Sequence, residues 1–390
     1  MTDAPPGPPR PWASWRDEFP IFQRTTYYNT CSLGALSRRA AHAVSTFLDL
    51  WDASGAGAWY GPWLAEIEEL RGAVARLVGA TRDEIAIFPS ITAALGAVTS
   101  ALDFGARPEV VISDREFPTT VYQWTVKARD GVRVTLLRSP DALTVPLDAY
   151  REAVGSRTRL VVASHVYFTS GVIQDIAALA EIAHGAGAYV LVDAYQSVGQ
   201  LPVDVHRAGV DFLVTGGLKW LLGGPGIAYL YVRREVAGRL QPSEVGWFAH
   251  RRQFAFDVHR FEYADGARRF EGGTPAVAAV YAGRAGAGIV EEIGVDRLRA
   301  RQLELVAHLV EASRAQGLSP RVPPRMESLA GIVTIPRADP QAVVAALAER
   351  GIVVDRRPGV VRLSPYFYNS LEDGARVAAE LAALQREGIA

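Results

Sequence analysis

The feature that most constrains the fold is an alternation. Short apolar runs, rich in β-branched residues, recur at 85–88, 109–113, 132–137, 159–163, 189–193, 210–214 and 227–232. The segments between them include two with clear helical periodicity, 92–102 and 175–186. Most links are long enough for crossover helices, and crossovers give parallel pairing. The pattern predicts an α/β fold: a three-layer α/β/α large domain around a mostly parallel sheet of about seven strands. Only a short link follows position 219, which leaves room for the last strand to run antiparallel.

Residues 64–78 place Leu64, Ile67, Leu70, Val74, Leu77 and Val78 at helical spacing with charges between them, so one face of that helix is buried. Thr81 and Glu84 have the spacing of a capping box, but the run from Ile85 to Phe88 reads as strand, and strand is the reading adopted. Residues 240–275 break the alternation with charges, aromatics and glycines, as an active-site or interface region does. After 287 the chain reads helix, strand (331–335), helix (340–350), strands (352–354 and 360–363) and a final helix (371–388), a smaller α+β unit. The expected organisation is a flexible segment 1–18, a segment 19–60 joining the small domain and the active site, a large domain 61–286 and a small domain 287–390.

Charge and cysteine usage narrow the function. Lys and Arg total 41 against 42 for Asp and Glu, which argues against nucleic acid or an acidic membrane surface and for a small-molecule partner. The single cysteine, Cys31, forms no internal disulfide, and no Cys/His spacing resembles a metal site. No stretch reads as a membrane span or an export signal, so a cytoplasmic location is expected.

Asp193 closes the run YVLVD, at the end of a strand where open α/β sheets bind ligands. A carboxylate there either caps the next turn or pairs with a protonated ring nitrogen, as pyridoxal phosphate (PLP) requires to act as an electron sink. Gln196 lies three residues on, within reach of a ring oxygen. Lys219 follows the next strand in TGGLKWLLGGPG, where glycines at 216, 217, 223, 224 and 226 leave room for a ligand. A lone loop lysine is usually solvated, but paired with Asp193 at neighbouring strand ends it reads as a Schiff-base lysine with a lowered pKa.

Phosphate needs neutral donors, and FPSITAAL puts Ser90, Ile91 and Thr92 between a strand and a helix N-terminus, with Thr215 a further donor. Ser90 or Thr92 also serves as an ordinary N-cap, which is compatible with that role. Phe117 is suited to lie against a cofactor ring, although taken alone such a residue reads more often as a core phenylalanine. Arg362, at the end of a short strand in VRLSPYFYNS, needs an anion: a substrate α-carboxylate or a structural salt bridge.

Together these residues resemble class V of the fold-type I PLP enzymes, the group of cysteine desulfurases, kynureninases and related lyases and epimerases. The resemblance spans roughly 27–375. It identifies Asp193 and Gln196 with the family's Asp-x-x-Gln element and Lys219 with its Schiff-base lysine. It also implies a homodimer with active sites at the subunit interface. EVGWFAHRR is similar to a kynureninase stretch and FEGGTPA to a desulfurase stretch, which makes Trp247 and Thr274 candidates to reach the neighbouring subunit's phosphate. The likeness of VRLSPYFYNS assigns Arg362 to the substrate carboxylate; Asn29 is expected as a further substrate contact. Desulfurases use a mobile small-domain cysteine, and no cysteine follows Cys31. Thr120 replaces an acid of kynureninases, and Leu218 a tyrosine. The implied activity is a PLP-dependent lyase acting on an α-amino acid or its conjugate, for example by C–S cleavage. The alternatives are a class V aminotransferase or epimerase, or a non-catalytic binding protein.

Overall fold

The computed structural model describes residues 10–389. Its strands are β1 (Thr26–Tyr27), β2 (Ile85–Phe88), β3 (Glu109–Ser113), β4 (Arg133–Leu137), β5 (Thr158–Ser164), β6 (Tyr189–Asp193), β7 (Phe212–Gly216), β8 (Ala228–Val232), β9 (Val333–Pro336), β10 (Ile352–Val353), β11 (Asp355–Arg357) and β12 (Val360–Leu363). The main sheet has the order β2-β8-β7-β6-β5-β3-β4. All its pairings are parallel except those of β8, which is antiparallel to both β2 and β7. The alternation in the sequence becomes this α/β fold because both faces of the sheet are buried. Ile87, Val111, Val161 and Val192 face one apolar core, while Phe88, Ile112, Val162 and Leu191 face another. Helices Ile91–Ala101, Pro118–Thr125, Leu147–Ala153 and Ile176–Gly185 make the crossovers.

Thr81 and Glu84 do form a reciprocal capping box, on a single 3-10 turn (Arg82–Glu84) that leads directly into β2. The two readings of that segment are consecutive rather than exclusive.

The second sheet, β11-β12-β9, is antiparallel and packs with helices Val295–Ala315, Pro340–Glu349 and Leu371–Arg386 around its own core. The N-terminal segment ties into it, since β1 pairs with β10. A boundary at 286/287 cuts the continuous helix Val277–Ile293. The chain breaks instead at Gly294, whose φ of 85° ends that helix before Val295. Gly286 of the same helix presses on the loop after Lys219, where a Cβ would collide with the Leu221 carbonyl.

Of the segment 1–18 expected to be flexible, residues 1–9 lie outside the described residues. The remainder is anchored: Trp12–Arg16 is helical, Trp15 is buried edge-on against Phe367, and Arg16 pairs with Asp373 at 2.6 Å. Proline at the N-cap position is no obstacle to such a turn, and burial of the indole supplies what composition does not reveal. No helix among the described residues is long and apolar enough to cross a membrane.

Candidate active site

The parallel strands end on one edge of the sheet, and the chemistry collects there. β6 ends on Asp193, which is buried. Its Oδ1 accepts the Tyr195 backbone N–H at 2.9 Å and its Oδ2 accepts the Thr120 hydroxyl at 3.2 Å. Burial pushes the Asp193 pKa up, against the pull of those two donors and of Lys219. A cationic ring nitrogen beside it would favour its ionised form.

β7 leads into Lys219, whose Nζ lies 4.2 Å from the centroid of the Tyr195 ring and 5.9 Å from that of Phe117. Burial lowers its pKa to about 8; Asp193 opposes the shift and Arg362 and Arg357 add to it. The lysine backbone is clamped from the N-terminal segment. Gly34 donates to the Leu218 carbonyl at 2.7 Å, and any side chain at 34 would collide with the Lys219 carbonyl. Below Asp193, Glu116 is buried and its pKa is raised to about 8: burial dominates, hydrogen bonds to Ser164 and Ser113 oppose it, and Asp193 pushes it further up. At neutral pH the inner site therefore carries fewer negative charges than its carboxyl count.

Lys219 and Asp193 share one cavity of about 410 Å³. Ser90, Ile91, Thr92 and Phe117 line it, as expected, together with Cys31, Ser32, Thr120, Tyr195 and Arg357. Ser90 caps the helix Ile91–Ala101 by accepting the Ala93 N–H at 3.2 Å, and the first-turn amides precede the helix's own bonding, a ready site for phosphate. Phe117 is partly exposed and packs edge-on against Phe168, ring centroids 5.2 Å apart. Amine, carboxylate and helix N-terminus lining one cavity of this size fit PLP.

Several expected contacts are engaged elsewhere. Gln196 does not line the cavity: its Oε1 accepts the Trp220 indole N–H at 2.8 Å and its Nε2 donates to the Cys31 carbonyl at 2.9 Å. Thr215 is buried and directs its hydroxyl to the Ala194 carbonyl at 3.3 Å, satisfying a neighbouring strand end rather than facing the cavity. Asn29 forms a parallel bridge with Ser364 and is not on the cavity wall. Neither Trp247 nor Thr274 lines the cavity of its own subunit. Trp247 packs on Phe248 and Phe254, and Thr274 is exposed.

Arg362 is fully buried behind the wall. Its Nη2 bonds Asp355 Oδ2 at 2.5 Å and Ser32 Oγ at 2.8 Å, while Nη1 donates to the Phe168 carbonyl at 2.7 Å. Arg357 shares the same Asp355 oxygen at 2.8 Å and does line the cavity. The salt bridge that was one of two readings for Arg362 is thus present, seven residues upstream on the paired strand β11. Burial pushes the Asp355 pKa up, but Ser32, Arg362 and Arg357 outweigh it and hold the group at about 2. Tyr195, Arg357 and Ser32 were not singled out from sequence. The only signal for Arg357 was its place in VVDRRPG, beside an acid and before a turn.

A strand-end lysine of lowered pKa facing a strand-end aspartate, with a helix N-terminus across the cavity, defines a PLP enzyme of the fold-type I class. Residues 59–376 match the family model of the class-V aminotransferases. An uncharacterized aminotransferase of Bacillus subtilis (strain 168), YcbU, is 35% identical over 372 residues, 95% of this chain and 97% of that protein. A kynureninase of Geobacillus thermodenitrificans (strain NG80-2) is 28% identical over 97% of this chain and 92% of its own length. Among solved structures, an apo cysteine desulfurase from Thermococcus onnurineus NA1 shares the fold with a TM-score of 0.87, at 24% identity over 95% of this chain and 97% of that one. The protein belongs to the class-V aminotransferase family of PLP-dependent enzymes.

Proposed function

We propose that the protein is a PLP-dependent lyase that removes a β-substituent from an α-amino acid or amino-acid conjugate, such as a thiol from an S-substituted cysteine. The observation that carries this reading is Lys219: among the described residues it is the only amine on the cavity wall, and burial lowers its pKa to about 8. An amine poised there accepts a proton from substrate Cα and returns it to a leaving group at neutral pH. PLP, when bound, supplies the electron sink that acidifies Cα. In this reading Ser90 and the amides of Ile91 and Thr92 hold its phosphate, and Asp193, oriented by Thr120, pairs with its ring nitrogen. Phe117 packs against the ring, and Tyr195 shields the lysine from water.

For the substrate carboxylate, Arg357 and Arg362 share the single acid Asp355, which leaves one positive charge to be met. The α-carboxylate takes a place at this pair, with Arg362 as its anchor on exchange with Asp355. The absence of any cysteine after Cys31 supports release of the thiol rather than its capture as a persulfide. We further propose a homodimer in which Trp247 and Thr274 approach the neighbouring phosphate. The exposed aromatics Tyr60, Phe254, Phe256 and Phe261 support this, since so many on a soluble surface usually mark an interface.

Transamination is the second reading, favoured by the kinship with YcbU. One experiment separates the two: holoenzyme is mixed with L-amino acids and S-alkyl-L-cysteines without a keto-acid acceptor. Elimination predicts sustained release of thiol, pyruvate and ammonia. A single stoichiometric turnover to keto acid, leaving the cofactor in its amine form, would instead establish transamination.

A further inference from the structure

Beyond the wall formed by Phe117 and Arg357 lies a second, larger cavity of about 840 Å³, which those two residues also line. Its charge is lopsided: Arg115, Arg321 and Arg357 line it against one carboxylate, Asp355, while Arg356 borders it but sends its side chain to the other face of β11, the side of Val361 and Gln341. Arg115 is neutralised by Asp114 at 2.9 Å. Asp355 is already shared between Arg357 and the buried Arg362. Among the described residues Arg321 forms no ion pair, and the Arg356 guanidinium goes to the neutral Gln341 side chain at 2.9 Å. Two positive charges are therefore in excess around this cavity and the wall it shares with the Lys219 site: Arg321, and one of the Arg357 and Arg362 pair. The α-carboxylate of a substrate accounts for one of them. The other, Arg321, lines the outer cavity, which also has apolar walls at Phe168 and Val360.

We infer that this outer cavity is a subsite for a second carboxylate at the distal end of the substrate, joined to the reacting carbon by an apolar linker. The inference rests on the proposed amino-acid chemistry at Lys219 and names the class of amino acid that site takes: one whose β-substituent ends in an anion. Guanidinium groups suit that task because their fork matches a carboxylate in two parallel hydrogen bonds.

The probes are S-(carboxyalkyl)-L-cysteines with one to four methylenes and their matched primary amides, with S-methyl-L-cysteine as a reference. Dissociation constants are read from the cofactor absorbance of the holoenzyme immediately after mixing. At the best linker length the acid should bind about tenfold more tightly than its amide, the ratio for one charge-assisted hydrogen bond. That preference should fall with salt and approach parity in Arg321→Gln, and it should survive Arg356→Gln, whose side chain lies on the other face of β11. It should persist in Arg239→Gln, which removes the same charge from an exposed position outside the cavity. Equal affinity of acid and amide at every length, while S-methyl-L-cysteine still changes the absorbance, overturns the subsite and leaves the amino-acid reading standing. So does a preference that survives Arg321→Gln. No absorbance change with any amino acid overturns the amino-acid reading, and the subsite with it.

Discussion

Replacing Asp355 by asparagine should make the protein less stable and its grip on amino acids tighter. The side chain is nearly isosteric, so the change is one of charge: Arg357 and Arg362 lose the anion they share. Holding a carboxylate at about 2 rather than 3.8 stabilises the ionised folded state by about 2 kcal/mol. The group is half-buried, and solvent screening reduces this to about 1 kcal/mol. Because the folded pKa is depressed, that stability is complete above the unfolded value near pH 4 and is lost as pH falls toward 2. The difference between wild type and Asp355→Asn in urea denaturation should therefore be constant near neutrality and shrink below pH 4. Binding should move the other way. Asp355 competes with the substrate carboxylate for the same guanidinium, and removing a charge in contact with it is worth about 1–2 kcal/mol after screening, roughly tenfold in affinity. The assay is a titration of an amino acid and its amide, followed through the cofactor absorbance. Arg362→Ala should do the opposite, weakening the acid by about 2–5 kcal/mol, with Arg362→Lys a partial rescue. If Asp355→Asn binds the acid more weakly than wild type, then Asp355 orients the arginine rather than competing for it, and the exchange reasoning fails.

Asp193→Asn should keep its cofactor but lose turnover on the order of 100-fold, because an amide does not hold the ring charge that drains electrons from Cα. Near-normal turnover at full cofactor content would make Asp193 structural. Arg71→Met should cost about 3–5 kcal/mol in urea denaturation by stranding the buried Glu271, 2.6 Å away, which also accepts the Ile87 N–H. A loss under about 1 kcal/mol would mean water reaches that pair. Reconstitution of apoenzyme with PLP should quicken from pH 6 upward and level off near 8, since burial lowers Lys219 and the free amine is the reactive form. A rise that continues past pH 10 would place the amine in water.

What the sequence made legible was whatever repeats locally. Each strand of the main sheet lies within two residues of its apolar run, because burial on both faces writes an unbroken apolar signature in all of them but the exposed edge strand β4. Lys219 and Asp193 were legible for the same reason: strand ends are visible, and parallel strands put their ends together. Long-range pairing was not. Gln196 has the right type and spacing, yet its amide goes to Trp220 and to Cys31, a backbone carbonyl 165 positions away. Arg357 lies on the short polar strand β11, which has no apolar run to mark it, and its value comes from sitting between two cavities. The helix at Trp12–Arg16 shows the converse, where proline-rich composition concealed a docked tryptophan.

The central claim, that Lys219 holds the cofactor, is tested most directly by reducing the purified holoenzyme with borohydride and mapping the modified peptide. The account predicts a single phosphopyridoxyl group on Lys219 and none in Lys219→Ala treated in parallel. Label on any other lysine, or a reduced wild-type protein with Lys219 unmodified, would contradict it.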